Sequence, residues 1–147
     1  MSWGNTKASN VHIKRIDVLR AEWDRPGFNR GLINCVGNRY NKENASTTIK
    51  NWVIEDVVTE NPIPVVFKIA PYEHTPVAID GLTLRNWNVN MKHSTKFSNE
   101  IVGSDLNGKF ENILLDCFIL NGERLTQKNW RQQLQGEFVN IQDPIIK

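Results

Sequence analysis

The sequence predicts an all-β domain, a parallel β-helix of about four coils. Two observations favour this fold: a five-slot apolar template recurs along the chain, and Asp-Gly and Asn-Gly turn pairs lie within and between its copies. The template is clearest in residues 109–122, KFENILLDCFILNG. Its copies begin at Ile13, Ile49, Ile79 and Phe110, at spacings of 36 (49 − 13), 30 (79 − 49) and 31 (110 − 79) residues.

Each copy of the template offers five core positions that fit a strand with one buried face. Slots two residues apart alternate like strand residues, and a step of three interrupts the alternation as a bend or bulge does. A β-sandwich with evenly spaced strands is the alternative fold, because short strands between turn signals fit both. In chain order the slots hold Ile13, Ile16, Val18, Ala21 and Trp23, then Ile49, Trp52, Ile54, Val57 and Thr59, then Ile79, Leu82, Leu84, Trp87 and Val89, and finally Phe110, Ile113, Leu115, Phe118 and Leu120.

A second apolar run follows each copy and predicts a second strand per coil. These runs cover residues 31–36, 65–70, 100–102 and 137–141, and polar connections separate them from the templates, the last over residues 123–135. The open ends of such a stack need covering. The tail, residues 142–147, can fold back as a lid; the alternative is a cover from another chain, which predicts a homo-oligomer.

Composition indicates one globular domain over residues 1–147. A hydrophobic fraction of 39% and a net charge of +2 exclude disorder, and the scattered basic residues argue against nucleic-acid binding. No apolar run is long enough to span a membrane, and the N-terminus lacks a signal-peptide layout. No metal or cofactor motif is present.

Cys35 and Cys117 lie inside apolar runs of different coils, which predicts two buried thiols rather than ligands, nucleophiles or a disulfide.

Several segments spread over most of the chain are similar to those of a known family. They begin with Trp3-Gly4 and continue with NVHIKRIDVLRAEW (residues 10–23), GLINCVGN (31–38), IKNWVIEDV (49–57), VFKIAP (66–71), FENILLDCFILNGERL (110–125) and GEFVN (136–140). On these segments the chain resembles the C-terminal portion of the dextranase and isopullulanase family of glycoside hydrolases. The resemblance implies a right-handed parallel β-helix, a polysaccharide partner of the α-glucan class and a secreted protein.

The resemblance also bears on catalysis. It implies that the family's acid and base aspartates precede residue 1, and this chain has no close Asp-Asp pair. We therefore expect a piece of a larger β-helix that is not catalytic alone. Asp80 and Glu111 occupy the same position of adjacent templates, one residue past the first slot, and the upstream equivalents are Lys50 and Lys14. A solvated column of paired charges explains these four residues best, and catalysis by Asp80 and Glu111 is the minor alternative.

Five residues are candidate substrate-binding groups. Trp23 and Asp24 lie beside a loop, where an indole can stack on a sugar ring and a carboxylate can bind hydroxyls, although Trp23 also fits the fifth core slot. Asn34, Lys68 and Tyr72 belong to or follow second strands. Two functions stay open: polysaccharide binding in a groove lined by these residues, and a structural or interaction module that forms homo-oligomers through its apolar ends without binding sugar.

Overall fold

The protein is all-β, as predicted. The computed structural model describes residues 7–21, 31–36, 47–71, 76–93, 96–103 and 110–147. Within these ranges ten strands and one short helix occur. They are β1 (Lys7–Val18), β2 (Ile33–Val36), β3 (Thr47–Thr59), β4 (Phe67–Ala70), β5 (Val77–Val89), β6 (Asn99–Val102), β7 (Phe110–Leu120), β8 (Glu123–Arg124), α1 (Trp130–Leu134), β9 (Gly136–Val139) and β10 (Ile145–Ile146).

The strands form two sheets whose neighbours run parallel. The long-strand sheet has the order β1-β3-β5-β7-β10, and the short-strand sheet has the order β2-β4-β6-β9. Short strands follow long ones along the chain, so the four predicted second strands are confirmed as β2, β4, β6 and β9. A β-sandwich requires antiparallel neighbours. Among the described strands only the two-residue β8 runs antiparallel, beside β7.

The predicted register is confirmed for three of the four templates. Ile49 of β3 pairs with Ile79 of β5, which pairs in turn with Phe110 of β7, and the later slots follow the same alignment. Like residues therefore stack in columns, and Trp87 lies on Phe118 with ring centroids 5.4 Å apart. These columns and the inward side chains of the short-strand sheet form one buried core.

The predicted register of β1 is wrong by five residues. Ile13 pairs with Ile54, and Ala8 takes the position opposite Ile49. The first spacing is thus 41 residues (49 − 8) rather than 36. The error has a simple cause: the slots follow steps of three, two, three and two, so shifting the template by five residues superposes three of its five slots. Trp23, assigned to the fifth slot, lies outside the described residues.

Each long strand bends twice, at residues with positive φ. Few residue types other than glycine, asparagine and aspartate adopt this conformation readily. The bends are in register between strands, and amide side chains link some of them; the Asn51 Nδ2 donates to Asn10 Oδ1 at 3.2 Å. The first bend holds Asn10, Asn51, Gly81 and Asn112, and the second holds Arg15, Asp56, Asn86 and Cys117.

The C-terminal end of the core is covered by the chain itself. The tail adds β10 beside β7, opposite Leu114 and Leu115, so the predicted lid is confirmed. The connection over residues 123–135 is mostly exposed, as predicted, but it also contains the short helix α1, which was not predicted. Its Trp130 and Leu134 are buried, and the Trp130 ring packs edge-on against Phe138 with centroids 4.9 Å apart. The short helix escaped prediction because one turn has no periodicity to detect.

Candidate functional site

A column of polar residues crosses the short-strand sheet. Asn34 of β2 pairs with Lys68 of β4, Lys68 pairs with Glu100 of β6, and Glu100 pairs with Glu137 of β9. Asn34, Lys68 and Glu100 each lie between two buried residues of their strand, Glu137 is in register with Glu100, and a strand's alternate side chains point to opposite faces. The four polar side chains therefore share the face of the short-strand sheet that points away from the core.

The centre of this column is a shielded ion pair. Lys68 Nζ contacts Glu100 Oε2, and the two side chains are only 17% and 20% exposed. Burial lowers the pKa of the Lys68 ammonium, and the charge of Glu137 opposes that shift. An ammonium with little water around it binds a hydroxyl oxygen more strongly than a fully hydrated one does. The pair therefore offers both a donor and an acceptor to a ligand on this face.

Asn34 adds an acceptor without a partner. Its side-chain oxygen is buried and accepts no hydrogen bond within the described part of the chain. A buried polar atom left unsatisfied costs about 1–3 kcal/mol. Because this oxygen is buried, a ligand hydroxyl on the outer face would reach it only after the Asn34 side chain turned outwards, and that donor would then remove the cost. Asn34 and Lys68 thus present neighbouring polar groups that are suited to a hydroxyl-rich ligand.

The structure brings together two of the five predicted binding residues. Asn34 and Lys68 are register neighbours, as a shared groove requires. Trp23, Asp24 and Tyr72 lie outside the described residues. The acidic members of the column, at positions 100 and 137, were missed. The signal that would have found them is their position: each follows the first residue of its strand, as Asn34 and Lys68 do.

A shallow pocket of about 180 Å³ lies near the start of β6. Phe97 lines it with a half-buried ring, and the exposed His93 and Ser98 add polar groups. The buried Asn99 fixes the neighbouring backbone, because its side-chain oxygen accepts from the Val66 and Phe67 amides at 2.8 and 2.9 Å. This pocket was missed because its residues lie in a connection without apolar periodicity.

The long-strand sheet carries a ladder of alternating charges. Lys14, Glu55, Arg85 and Asp116 occupy equivalent positions of β1, β3, β5 and β7. Glu55 contacts the Lys14 ammonium at 3.2 Å, the Arg85 guanidinium at 3.4 Å and the His12 ring at 2.8 Å. Hydrogen bonds from His12 and Lys14 hold the pKa of the Glu55 carboxyl below its usual value. This ladder ties the four strands together.

The pair Asp80 and Glu111 has the predicted register. Its upstream neighbours are Lys50 and Ser9, so the assignment of Lys14 to this column is wrong for the same reason as the β1 register. Asp80 accepts a hydrogen bond from Asn112 Nδ2 at 2.9 Å and lies 3.7 Å from Lys50 Nζ. These contacts are those of a surface charge ladder.

The remaining reactive groups have structural environments. Cys35 is buried, as predicted, and burial raises its thiol pKa to about 11. Cys117 is only half-buried, contrary to the prediction, because it occupies a bend; the Arg124 guanidinium lies 3.6 Å from its sulfur. Both thiols are free. No group of histidine, cysteine and acidic side chains that is able to hold a metal occurs among the described residues.

Searches beyond the chain gave no relative. No protein-family model, curated protein or solved structure matches the sequence or the fold. In the described ranges, no helix has the length and apolar character needed to cross a bilayer.

Proposed function

We propose that this chain is a right-handed parallel β-helix of about four coils that binds a polysaccharide of the α-glucan class and is not catalytic alone. The support for the architecture is the parallel pairing of long with long and short with short strands, each long strand preceding its short one. A right-handed crossover is the general rule for parallel strands. Each pair of strands is then one coil.

The observation that carries the binding proposal is the polar column of Asn34, Lys68, Glu100 and Glu137. Binding sites combine a few fixed polar groups with an otherwise rigid surface. The backbone pairing of four parallel strands fixes these side chains, the ion pair is shielded, and Asn34 has an unsatisfied acceptor. Sugar hydroxyls, which donate and accept, match this mixture.

The contacts of the pair Asp80 and Glu111 support the non-catalytic part of the proposal. Glycoside hydrolysis needs one carboxyl group that gives a proton and another that attacks or activates water. The Asp80 carboxylate is already bound by Asn112 and Lys50 in a partly exposed charge column. Two carboxylates in one such column fit paired surface charges better than the acid and base of a hydrolase, which need contrasting environments.

The test is binding to a panel of dextran, pullulan and cellulose by affinity electrophoresis, with reducing-sugar release measured in parallel. We expect binding to an α-glucan, no release of reducing ends, and about a tenfold loss of affinity in Lys68→Met, because a charged hydrogen-bond donor is removed. Lys50→Met is the matched control, since Lys50 lies on the long-strand sheet. Absence of binding to all three glycans, or equal effects of the two substitutions, would refute the proposal; turnover would refute its non-catalytic part.

A second function is favoured by the β1 end of the core. There the apolar side chain of Ile13 is exposed, whereas the opposite end is covered by α1 and β10. The alternative is therefore a structural module that forms homo-oligomers through this end. Light scattering on the purified chain distinguishes the two functions: a dimer without glycan binding supports the module.

A further inference from the structure

The outer edge of β1 is an incomplete layer of the core. Among the described strands none pairs with that edge. Exposure along one core column shows the consequence: Ile13 is 39% exposed, whereas Ile54, Leu84 and Leu115 are 4%, 0% and 2% exposed. An apolar cavity of about 380 Å³ opens beside Ile13, with Val18, Leu32 and Trp52 in its wall. The core therefore has room and apolar surface for another strand.

The charge ladder ends on β1 with a positive member. From β7 towards β1 the ladder reads Asp116, Arg85, Glu55 and Lys14, so the signs alternate at each step. A carboxylate is the next member that continues this alternation. His12, which lies on β1 with Lys14, is 59% exposed and contacts Glu55 of β3. Its ring is a second group on β1 that can bind a carboxylate of a neighbouring strand.

We infer that the β1 edge binds a parallel strand of a separate, acidic polypeptide, which places a carboxylate opposite Lys14 and apolar side chains over Ile13 and its neighbours. Adding a strand to an open sheet edge is a general mode of peptide recognition. The backbone groups of the edge supply the affinity, while the cavity and Lys14 supply the selection. The two bends at Asn10 and Arg15 favour asparagine, aspartate or glycine at the matching positions of the ligand, although Arg15 and Cys117 show that other residues occupy the second bend.

A second copy of this chain fits the edge less well. Head-to-tail stacking needs the free edge of β7, which β10 occupies at Leu114 and Leu115. Head-to-head pairing makes β1 antiparallel to its own copy, and each of the two strands carries Lys7, His12, Lys14 and Arg15 against a single carboxylate, Asp17. Like charges on adjacent strands destabilise a sheet. Charge complementarity therefore favours an acidic strand.

The sequence of β3 provides a test peptide for the free edge of β1. On the other edge of β1, β3 pairs in parallel and places Glu55 opposite Lys14. A labelled 13-residue peptide with the β3 sequence, TTIKNWVIEDVVT, carries the required slots, bends and Glu55. The control peptide has Glu55→Lys. We expect fluorescence anisotropy to show about tenfold tighter binding of the first peptide at low salt. Ile13→Ser, at an exposed position, should weaken binding of both peptides.

Two lysine variants assign the selectivity to the edge. Lys14→Gln should remove the preference between the peptides, and Lys50→Gln should retain it, although each removes a lysine from an ion pair with a carboxylate on the next strand. Thermal unfolding establishes that both variants are folded. Three results would overturn the inference: no binding of either peptide, equal binding of both to the unmodified chain, or a dimer that Ile13→Ser dissociates.

Discussion

The two ends of the core carry the same kind of apolar residue but differ in what covers it. At the C-terminal end, Leu115 is buried beneath a layer that includes β10 and the buried Trp130 of α1. At the β1 end, Ile13 stands in the same column and is exposed beside a cavity. Hydrophobicity is equal at the two positions, so the difference comes from the neighbouring layer alone.

This difference shows that each layer of the stack depends on the next for its burial. A strand in such an arrangement has a core face only when a further strand, helix or chain lies over it. The C-terminal end uses residues from 125 onwards for that purpose, including Leu125, Trp130 and Leu134. The β1 end has no equivalent among the described residues. An uncovered parallel edge is also where a sheet protein associates or aggregates.

The largest effect is expected from truncating the covered member of the shared column. Leu115→Ala should lower the free energy of unfolding by about 2–5 kcal/mol, because a large buried side chain leaves a cavity. Ile13→Ala should cost less than about 1 kcal/mol, because its side chain is already in contact with water. Urea unfolding followed by tryptophan fluorescence measures both values.

The comparison of Ile13→Ala with Leu115→Ala also tests whether another segment covers β1 in solution. Leu84→Ala in β5 serves as the control, since Leu84 is buried in the same column and should resemble Leu115→Ala. If Ile13→Ala proved as costly as these two, the β1 end would be covered in solution. The contrast between the ends would then be lost.

A smaller effect concerns the charges that attach β1 to the stack. Hydrogen bonds from His12 and Lys14 lower the pKa of Glu55 from 4.5 in the folded protein. A depressed carboxyl pKa stabilises the fold above the unfolded value, and that stability is lost as the pH falls through the folded value. The melting temperature of the unmodified chain should therefore fall more steeply below about pH 4.5 than that of Glu55→Gln.

The C-terminal end provides the control for the pH experiment. Arg131 and Asp143 form an ion pair of 2.6 Å there, with both side chains about half exposed. Exposed pairs contribute little to stability. Asp143→Asn should therefore follow the unmodified chain over the same pH range. Parallel melting curves for Glu55→Gln and the unmodified chain would show that the Glu55 contacts do not stabilise the junction of β1 with β3.

Much of the fold was predictable because apolar side chains in equivalent slots must stack. Residues 49, 79 and 110 are the first slots of three templates. They are 30 and 31 residues apart, a nearly constant spacing, and the register of their strands is confirmed. The register of β1 was not predictable from apolar pattern alone, since a shift of five preserves most slots. The charged residues distinguish the two possible registers of β1 against β3. Only the spacing of 41 residues places Lys14 opposite Glu55, which is in turn opposite Arg85.

Less of the candidate site was predictable, because it depends on side chains from separate strands. Asn34 and Lys68 were predicted to line one groove, but the acidic continuation of their column was not predicted, since Glu100 lies in a run with little apolar signal. Burial of the ion pair and the unsatisfied oxygen of Asn34 depend on packing. A linear sequence gives no direct sign of either property.

The smallest effect lies at the second bend of the two outermost long strands. Cys117 and Arg15 have φ values of 53° and 63°, in the left-handed region that costs most L residues about 1–2 kcal/mol. The same bend holds Asn86 in β5, a residue that adopts this conformation more readily. Cys117→Asn and Arg15→Asn should therefore each raise the free energy of unfolding by about 0.5–1 kcal/mol, as measured by urea unfolding.

Asn86→Ala is the reverse control and should be destabilising, through both its backbone and its lost hydrogen bond to Asp56. A gain at Cys117 without one at Arg15 would mean that β1 relaxes its bend in solution, as an edge strand held on one side is free to do. Loss of stability in both asparagine variants would show instead that the left-handed bends are absent.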